Sequence, residues 1–150
     1  MPRILPSSLS LFLVLALAAC GDSGTGPEEN PDNGGGNGDA RAIVADPSFA
    51  TVVQEIFARK GCAAGSCHGS FEAAGLSLTS GNAYANLVNV TATQAAVARV
   101  IPGNANDSYL VVKLEGRQSV GQQMPLGGSA LDNIDLTNIK NWINEGAKNN

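Results

Sequence analysis

The sequence predicts a small all-α domain, in which short helices are joined by loops and packed around an additional apolar group. Four stretches carry helix caps or helical periodicity, and glycine or proline interrupts the chain between them. Residues 41–150 form one small domain with a limited core, and aromatic residues make up only 5% of the chain. So much loop around so small a core indicates that the domain packs around something else.

The first predicted helix covers residues 48–60. Asp46 is placed to act as its N-cap, and Pro47 stands at the first helical position, where a missing N–H is tolerated. Gly61 is expected to stop the helix immediately before a cysteine-containing segment. The apolar side chains of one face are Val52, Val53, Ile56 and Phe57.

Two shorter helices are predicted in the middle of the domain. Residues 80–88 form one of them, with an apolar side made of Tyr84, Leu87 and Val88. Residues 107–114 form the other, capped by Asp107 and ended by Gly116, although residues 109–112 equally fit a strand.

The last predicted helix is the clearest in the sequence. Asp132 or Asp135 can cap it, and Gly146 ends it. Its apolar residues recur with helical spacing and include Leu136, Ile139 and Ile143 on one face, with Trp142 beside them.

The N-terminal residues resemble a bacterial lipoprotein signal peptide. A single Arg3 precedes an apolar run over residues 9–19, which is about half the length of a membrane-spanning helix. The run ends in Leu17-Ala18-Ala19-Cys20, which resembles a lipobox. By that resemblance residues 1–19 are removed, and Cys20 becomes the lipidated first residue of an exported protein.

Residues 20–40 join this anchor to the domain. After the cysteine they contain no large apolar residue, so we expect a disordered tether with a root-mean-square span of about 25 Å. Its five acidic residues explain the net charge of −4, since residues 41–150 hold eight acidic and eight basic residues. A neutral domain without a basic patch argues against nucleic acid as a partner.

The segment Cys62-Ala63-Ala64-Gly65-Ser66-Cys67-His68 contains the only histidine of the chain and two of its three cysteines. Two thiols can form thioethers with the vinyl groups of a haem, and an imidazole directly after the second thiol can bind the iron. The usual motif is Cys-x-x-Cys-His, whereas four small residues separate the cysteines here. Thioether sulfur is a soft iron ligand, and Met124 is the one methionine left after residues 1–19 are removed.

Together these segments resemble a class I cytochrome c domain, most closely the planctomycete-type cytochrome c domains of bacterial lipoproteins. The resemblance covers residues 48–148, and several members of that group share the four-residue spacing. The matching segments are Cys67-His68-Gly69, Gly75-Leu76-Ser77-Leu78, Tyr84-Ala85-Asn86-Leu87-Val88, Val100-Ile101-Pro102-Gly103, Ser108-Tyr109-Leu110-Val111, Met124-Pro125 and Trp142-Ile143-Asn144-Glu145-Gly146-Ala147.

The resemblance implies a class I cytochrome c fold around one covalent haem c. Cys62 and Cys67 would carry the thioethers, His68 would be the proximal iron ligand, and Met124 the distal one. The first and last helices would cross beside the haem edge. The Gly75-Leu76 backbone is a candidate acceptor for the second imidazole nitrogen, which needs a hydrogen bond to fix the tautomer.

The function that the resemblance implies is electron transfer and not enzymatic catalysis. The protein would pass single electrons between redox partner proteins outside the cytoplasm, alone or as a subunit of a larger oxidoreductase. Its lipid on Cys20 would hold it at a bacterial membrane, in the periplasm or cell envelope.

Other kinds of site remain open at this point. Cys62 and Cys67 could form a disulfide in a purely structural exported lipoprotein, since thiols oxidise readily outside the cytoplasm. The two cysteines, His68 and Met124 could instead bind copper(I). A blue-copper centre and a Cys2His2 zinc site each need a second histidine, and the cysteine spacing does not fit a thioredoxin-like motif. A haem that senses a ligand would follow if Met124 were labile.

Overall fold

The computed structural model describes residues 41–150; the signal peptide, Cys20 and the tether predicted for residues 1–40 lie outside this part. A π-helical turn at Phe49–Val53 leads into α1 at Gln54–Arg59, and a 3-10 turn follows at Ala73–Gly75. The later helices are α2 at Ala83–Leu87, α3 at Tyr109–Leu114 and α4 at Asn133–Asn144. Within the described residues the β pairings are isolated bridges, Val88 with Val100 and Thr91 with Ala98. None of these helices is long and apolar enough to cross a bilayer.

The first predicted helix is present, but it begins later than predicted. Ser48 is the N-cap, because its hydroxyl accepts a hydrogen bond from the N–H of Thr51. Pro47 is buried before the cap, so the prediction of Asp46 as the cap and Pro47 as the first helical residue is wrong. The predicted stop is confirmed, since Gly61 follows the helix with a φ of +70°.

The two middle helices are shorter than predicted. Gly81 has a φ of +89°, which breaks the helical conformation and delays the start of α2. The segment that equally fitted a strand is helical as α3, and its N-cap position is Ser108 rather than Asp107. The hydroxyl of Ser108 donates to the carbonyl of Asn104 at 2.7 Å, a bond that ties the start of α3 to the preceding loop.

The last helix matches its prediction and packs against the first. Asp132 is the N-cap, since its carboxylate accepts from the N–H of Asp135 at 3.0 Å. On the apolar face, Ile139 and Ile143 are fully buried. Trp142 stacks on Phe49 with ring centroids 5.0 Å apart, which places the last helix against the π-helical turn.

The buried carboxylate of Asp135 also links α4 to the end of α1, directly before the cysteine segment. Asp135 is only 1% exposed, and its oxygens lie 2.8 Å from the guanidinium of Arg59, 3.0 Å from that of Arg41 and 3.3 Å from the ammonium of Lys60. Burial alone would raise the pKa of Asp135, but Arg59 and Lys60 outweigh it and hold that pKa below its ordinary value.

Candidate functional site

The segment from Cys62 to His68 folds into a compact loop closed by its own backbone. The N–H of Cys62 donates to the carbonyl of Phe57 at 2.9 Å, so the first cysteine continues from the end of α1. The N–H of His68 then returns to the carbonyl of Cys62 at 3.1 Å. The N–H of Cys67 donates to the carbonyl of Ala64 at 2.9 Å, so the four residues between the cysteines, two more than usual, form a tight turn. The structure therefore brings both cysteines and the histidine together.

The two thiols differ in their surroundings. Cys62 is partly buried against the hydrophobic core, whereas Cys67 is exposed, and neither forms a disulfide. Burial raises the pKa of the Cys62 thiol above its ordinary value, and the nearby Cys67 acts in the same direction. At neutral pH the partly buried Cys62 is therefore held as a protonated thiol.

Gly69 makes the close packing of this loop possible. A Cβ atom at this position would lie 2.6 Å from the carbonyl oxygen of Ala63 and 2.7 Å from that of Ala64, both of which are backbone atoms. Since backbone cannot move aside without deforming the loop, no residue with a side chain fits here.

We expect Gly69→Ala to lower the free energy of unfolding by about 2 kcal/mol, the usual cost of forcing an extra methyl group into a packed site. Gly65→Ala in the same loop is the matched control, because its Cβ would meet only the hydroxyl of Ser70 at 3.4 Å. Urea unfolding of both variants measures the difference. Equal stability of the two variants would contradict the described loop.

His68 is oriented by a backbone carbonyl. Its Nδ1 donates to the carbonyl of Ala73 at 3.0 Å, two residues before the Gly75-Leu76 backbone that the sequence suggested. This bond fixes the proton on Nδ1 and leaves Nε2 as the nitrogen that can bind a metal. Burial lowers the pKa of the imidazole, although the backbone of Leu76 and Ala73 acts to raise it, so the ring is neutral at pH 7. A neutral imidazole is the form that binds iron.

Met124 lies on the loop that follows α3 and packs, partly buried, against the same hydrophobic core as Cys62. The carbonyl of Lys113 accepts from the N–H of Met124 at 2.9 Å, so this bond attaches the methionine loop to α3. Met124 and Cys62 are thus placed on one core, Met124 from the side of α3 and Cys62 from the end of α1.

Two buried cations near the middle of the domain are paired with backbone carbonyls rather than with carboxylates. Arg99 is 7% exposed and Lys113 9% exposed, and no carboxylate lies within 4.0 Å of either among residues 41–150. The guanidinium of Arg99 donates to the carbonyls of Ala74, Gly75 and Asn86, and the ammonium of Lys113 donates to the carbonyl of Val120 at 3.3 Å. Three buried side-chain oxygens have no hydrogen-bond partner within the described part of the chain, namely the Tyr109 hydroxyl and the amide oxygens of Gln54 and Gln118. The donor set that a covalent haem would need is provided by the two free thiols and by the imidazole whose Nδ1 is already hydrogen-bonded.

Other candidate sites in the described residues are less developed. No group of three or more His, Cys, Asp and Glu side chains between residues 41 and 150 is arranged to hold a metal ion. A cavity of about 180 Å³ lies between the first residues of the domain and the first and last helices, where Val52, Arg59 and Asp135 line it. None of the four predicted ligand residues lines that cavity.

The sequence alone did not assign a role to Ala73, Arg99 or Lys113, and it gave Gly69 only as part of the matching segment Cys67-His68-Gly69. A signal for the two cations is present, since each interrupts an apolar run, Val97-Ala98-Arg99-Val100-Ile101 and Leu110-Val111-Val112-Lys113-Leu114. A charged residue within such a run indicates a side chain that is buried with partners or that belongs to a functional site. The role of Ala73 has no sequence signal, because any residue supplies a backbone carbonyl.

Comparisons with known proteins do not assign the chain to a family. No protein-family model matches the sequence, no curated protein matches it, and no solved structure matches its fold.

Proposed function

We propose that this protein is a monohaem c-type cytochrome, anchored to a bacterial membrane through Cys20, that carries single electrons between redox proteins outside the cytoplasm. In this proposal Cys62 and Cys67 form the thioether bonds, and His68 and Met124 are the two axial ligands. The domain has a class I cytochrome c fold. The haem supplies an iron that cycles between two oxidation states when it is bound.

The observation that carries the proposal is the loop that holds two free thiols and an oriented imidazole together. The hydrogen bond from Nδ1 of His68 to Ala73 presents Nε2 for a metal, and the backbone contact between His68 and Cys62 keeps both cysteines beside it. A purely structural disulfide would not require the imidazole to be fixed in this way.

The residues of the chain also fit the role of an electron carrier. The thioether of Met124 and the imidazole of His68 together leave no open coordination position, and a methionine ligand favours the reduced metal and a high reduction potential. The domain is formally neutral between residues 41 and 150, so we expect contact with its partners to involve local charges rather than its overall charge.

An optical redox titration tests the electron-carrier role. We expect one reversible one-electron transition and no spectral change when carbon monoxide is added to the reduced protein, because a firmly bound Met124 blocks the sixth position. Rapid binding of carbon monoxide would contradict the carrier role and would indicate a ligand-sensing haem with a labile methionine.

A further inference from the structure

The loop that carries the Ala73 carbonyl is held in an unusual backbone conformation. Glu72 and Ala74 have φ values of +48° and +56°, in the left-handed region that residues with a side chain rarely adopt, and Gly75 follows at +63°. Ala73 lies between these residues, and its carbonyl is the one that accepts from His68. Such a conformation persists only where the surroundings hold it in place.

Arg99 contributes two side-chain hydrogen bonds that hold this loop, in addition to backbone bonds such as that from the N–H of Ala73 to the carbonyl of Cys67 at 3.0 Å. Its guanidinium donates to the carbonyls of Ala74 at 3.1 Å and Gly75 at 3.0 Å with one nitrogen, and to the carbonyl of Asn86 at 2.9 Å with another. The third acceptor belongs to α2, so the side chain ties the loop to the helical framework. Only the planar, multiple-donor guanidinium can serve all of these carbonyls together.

Thr93 gives a second, independent attachment to the same loop. Its hydroxyl donates to the carbonyl of Ala74 at 3.1 Å, beside the nitrogen of Arg99 that binds the same oxygen. The arginine is buried, whereas Thr93 is exposed. Two side chains, Arg99 and Thr93, therefore bind the carbonyl of Ala74, which directly follows the residue that accepts from His68.

We infer that Arg99 is a positioning residue for the axial histidine, which acts by holding the loop of residues 72–75 so that the Ala73 carbonyl stays against Nδ1 of His68. The inference rests on the proposed function, since the ligand that benefits is the iron-binding imidazole. A strong hydrogen bond at Nδ1 makes the imidazole a more basic ligand, which favours ferric over ferrous iron. Arg99 therefore keeps the reduction potential lower than an unsupported loop would allow.

The test uses Arg99→Lys in the haem-loaded protein, because lysine keeps the charge and loses the planar set of donors. We expect exchange of the His68 Nδ1 proton with solvent, followed by NMR in the reduced state, to be about tenfold faster, and the reduction potential to rise. Arg117→Lys is the matched control, since that guanidinium is exposed and binds elsewhere, at Glu115 and Asn106. A merely structural role would lower stability and leave both readouts unchanged.

A rescue variant separates the positioning role from general damage. Glycine takes the left-handed conformation freely, so Ala74→Gly added to Arg99→Lys should return the proton exchange and the potential towards the wild-type values. Thr93→Val, at an exposed site, should also speed the proton exchange and raise the potential, by a smaller factor than Arg99→Lys. If Arg99→Lys does not fold, the result for Thr93→Val tests the inference in its place.

Three outcomes would count against the inference. Unchanged readouts in Arg99→Lys, or in Thr93→Val where the arginine variant does not fold, would overturn it and leave the proposed function intact. Absence of rescue by Ala74→Gly would show that the loop conformation is not what Arg99 controls. Absence of covalent haem from the wild-type protein would overturn the proposed function together with this inference.

Discussion

Replacing Met124 with alanine is expected to abolish the far-red charge-transfer band of the ferric protein and to open the sixth coordination position. The reduction potential should fall by tenths of a volt, within the range of about 0.8 V that axial ligands span, because loss of the thioether removes the ligand that favours reduced iron. Carbon monoxide should then bind to the reduced variant. Optical spectra with and without carbon monoxide measure the loss of the band and the opening of the sixth position.

The control for this prediction is Leu126→Ala, two residues further along the same loop. Leu126 is 68% exposed, so its side chain can be removed without disturbing the core. We expect its spectrum to match that of the wild type. If the band survives in Met124→Ala, a ligand other than Met124 completes the coordination, and the assignment of the distal ligand is wrong.

Replacing Asp135 with alanine is expected to lower the free energy of unfolding by about 3 kcal/mol. This carboxylate is 1% exposed and pairs with Arg41, Arg59 and Lys60, so its removal leaves several cations around a buried site without their partner. The loss falls at the low end for a buried pair because the cations themselves are partly exposed and can turn towards water. Urea unfolding measures it.

An exposed ion pair provides the matched control for Asp135. Asp46 and Lys148 lie 3.0 Å apart with side chains 55% and 50% exposed, and we expect Asp46→Ala to change the unfolding free energy by less than about 1 kcal/mol. If Asp135→Ala is no more damaging than this control, the buried cluster does not join the two helices.

The same cluster gives the domain a predictable response to acid. Burial alone would raise the pKa of Asp132, but the N–H of Asp135 and the guanidinium of Arg41 outweigh it and lower the pKa to about 2. A carboxylate whose folded pKa lies below its unfolded value stabilises the fold at higher pH, and this stabilisation is lost as protons bind. Stability should therefore decline from about pH 4 to about pH 2.

The parts of the fold that the sequence predicted well are those determined by local chemistry. The cap at Asp132, the glycine stops at Gly61 and Gly146, and the apolar face of the last helix depend on residues within a few positions of one another. The cap of the first helix was mispredicted because Asp46, Pro47 and Ser48 offer competing local signals. In the structure Pro47 is buried and Ser48 makes the capping hydrogen bond, and neither feature can be read from the local sequence.

The grouping of the proposed ligands could be predicted from the sequence, but the side chain that holds the loop beside His68 could not. Cys62, Cys67 and His68 are close in sequence, so their grouping follows from the motif, and Met124 is the single candidate of its kind within residues 20–150. That side chain is Arg99, which reaches the carbonyls of Ala74 and Gly75 from a distant segment. Contacts between distant segments depend on the fold, and a single sequence does not encode them as a pattern.

The central claim is that Cys62 and Cys67 bind a haem covalently. The most direct test is a pyridine haemochrome spectrum of the acid-acetone-washed protein, produced in a host with a working haem-attachment system, together with its intact mass. We predict a haemochrome signal that survives the wash, a mass increase of one haem per chain, and loss of the signal in the double variant Cys62→Ser/Cys67→Ser. A colourless wild-type protein whose mass matches the polypeptide alone would contradict the account.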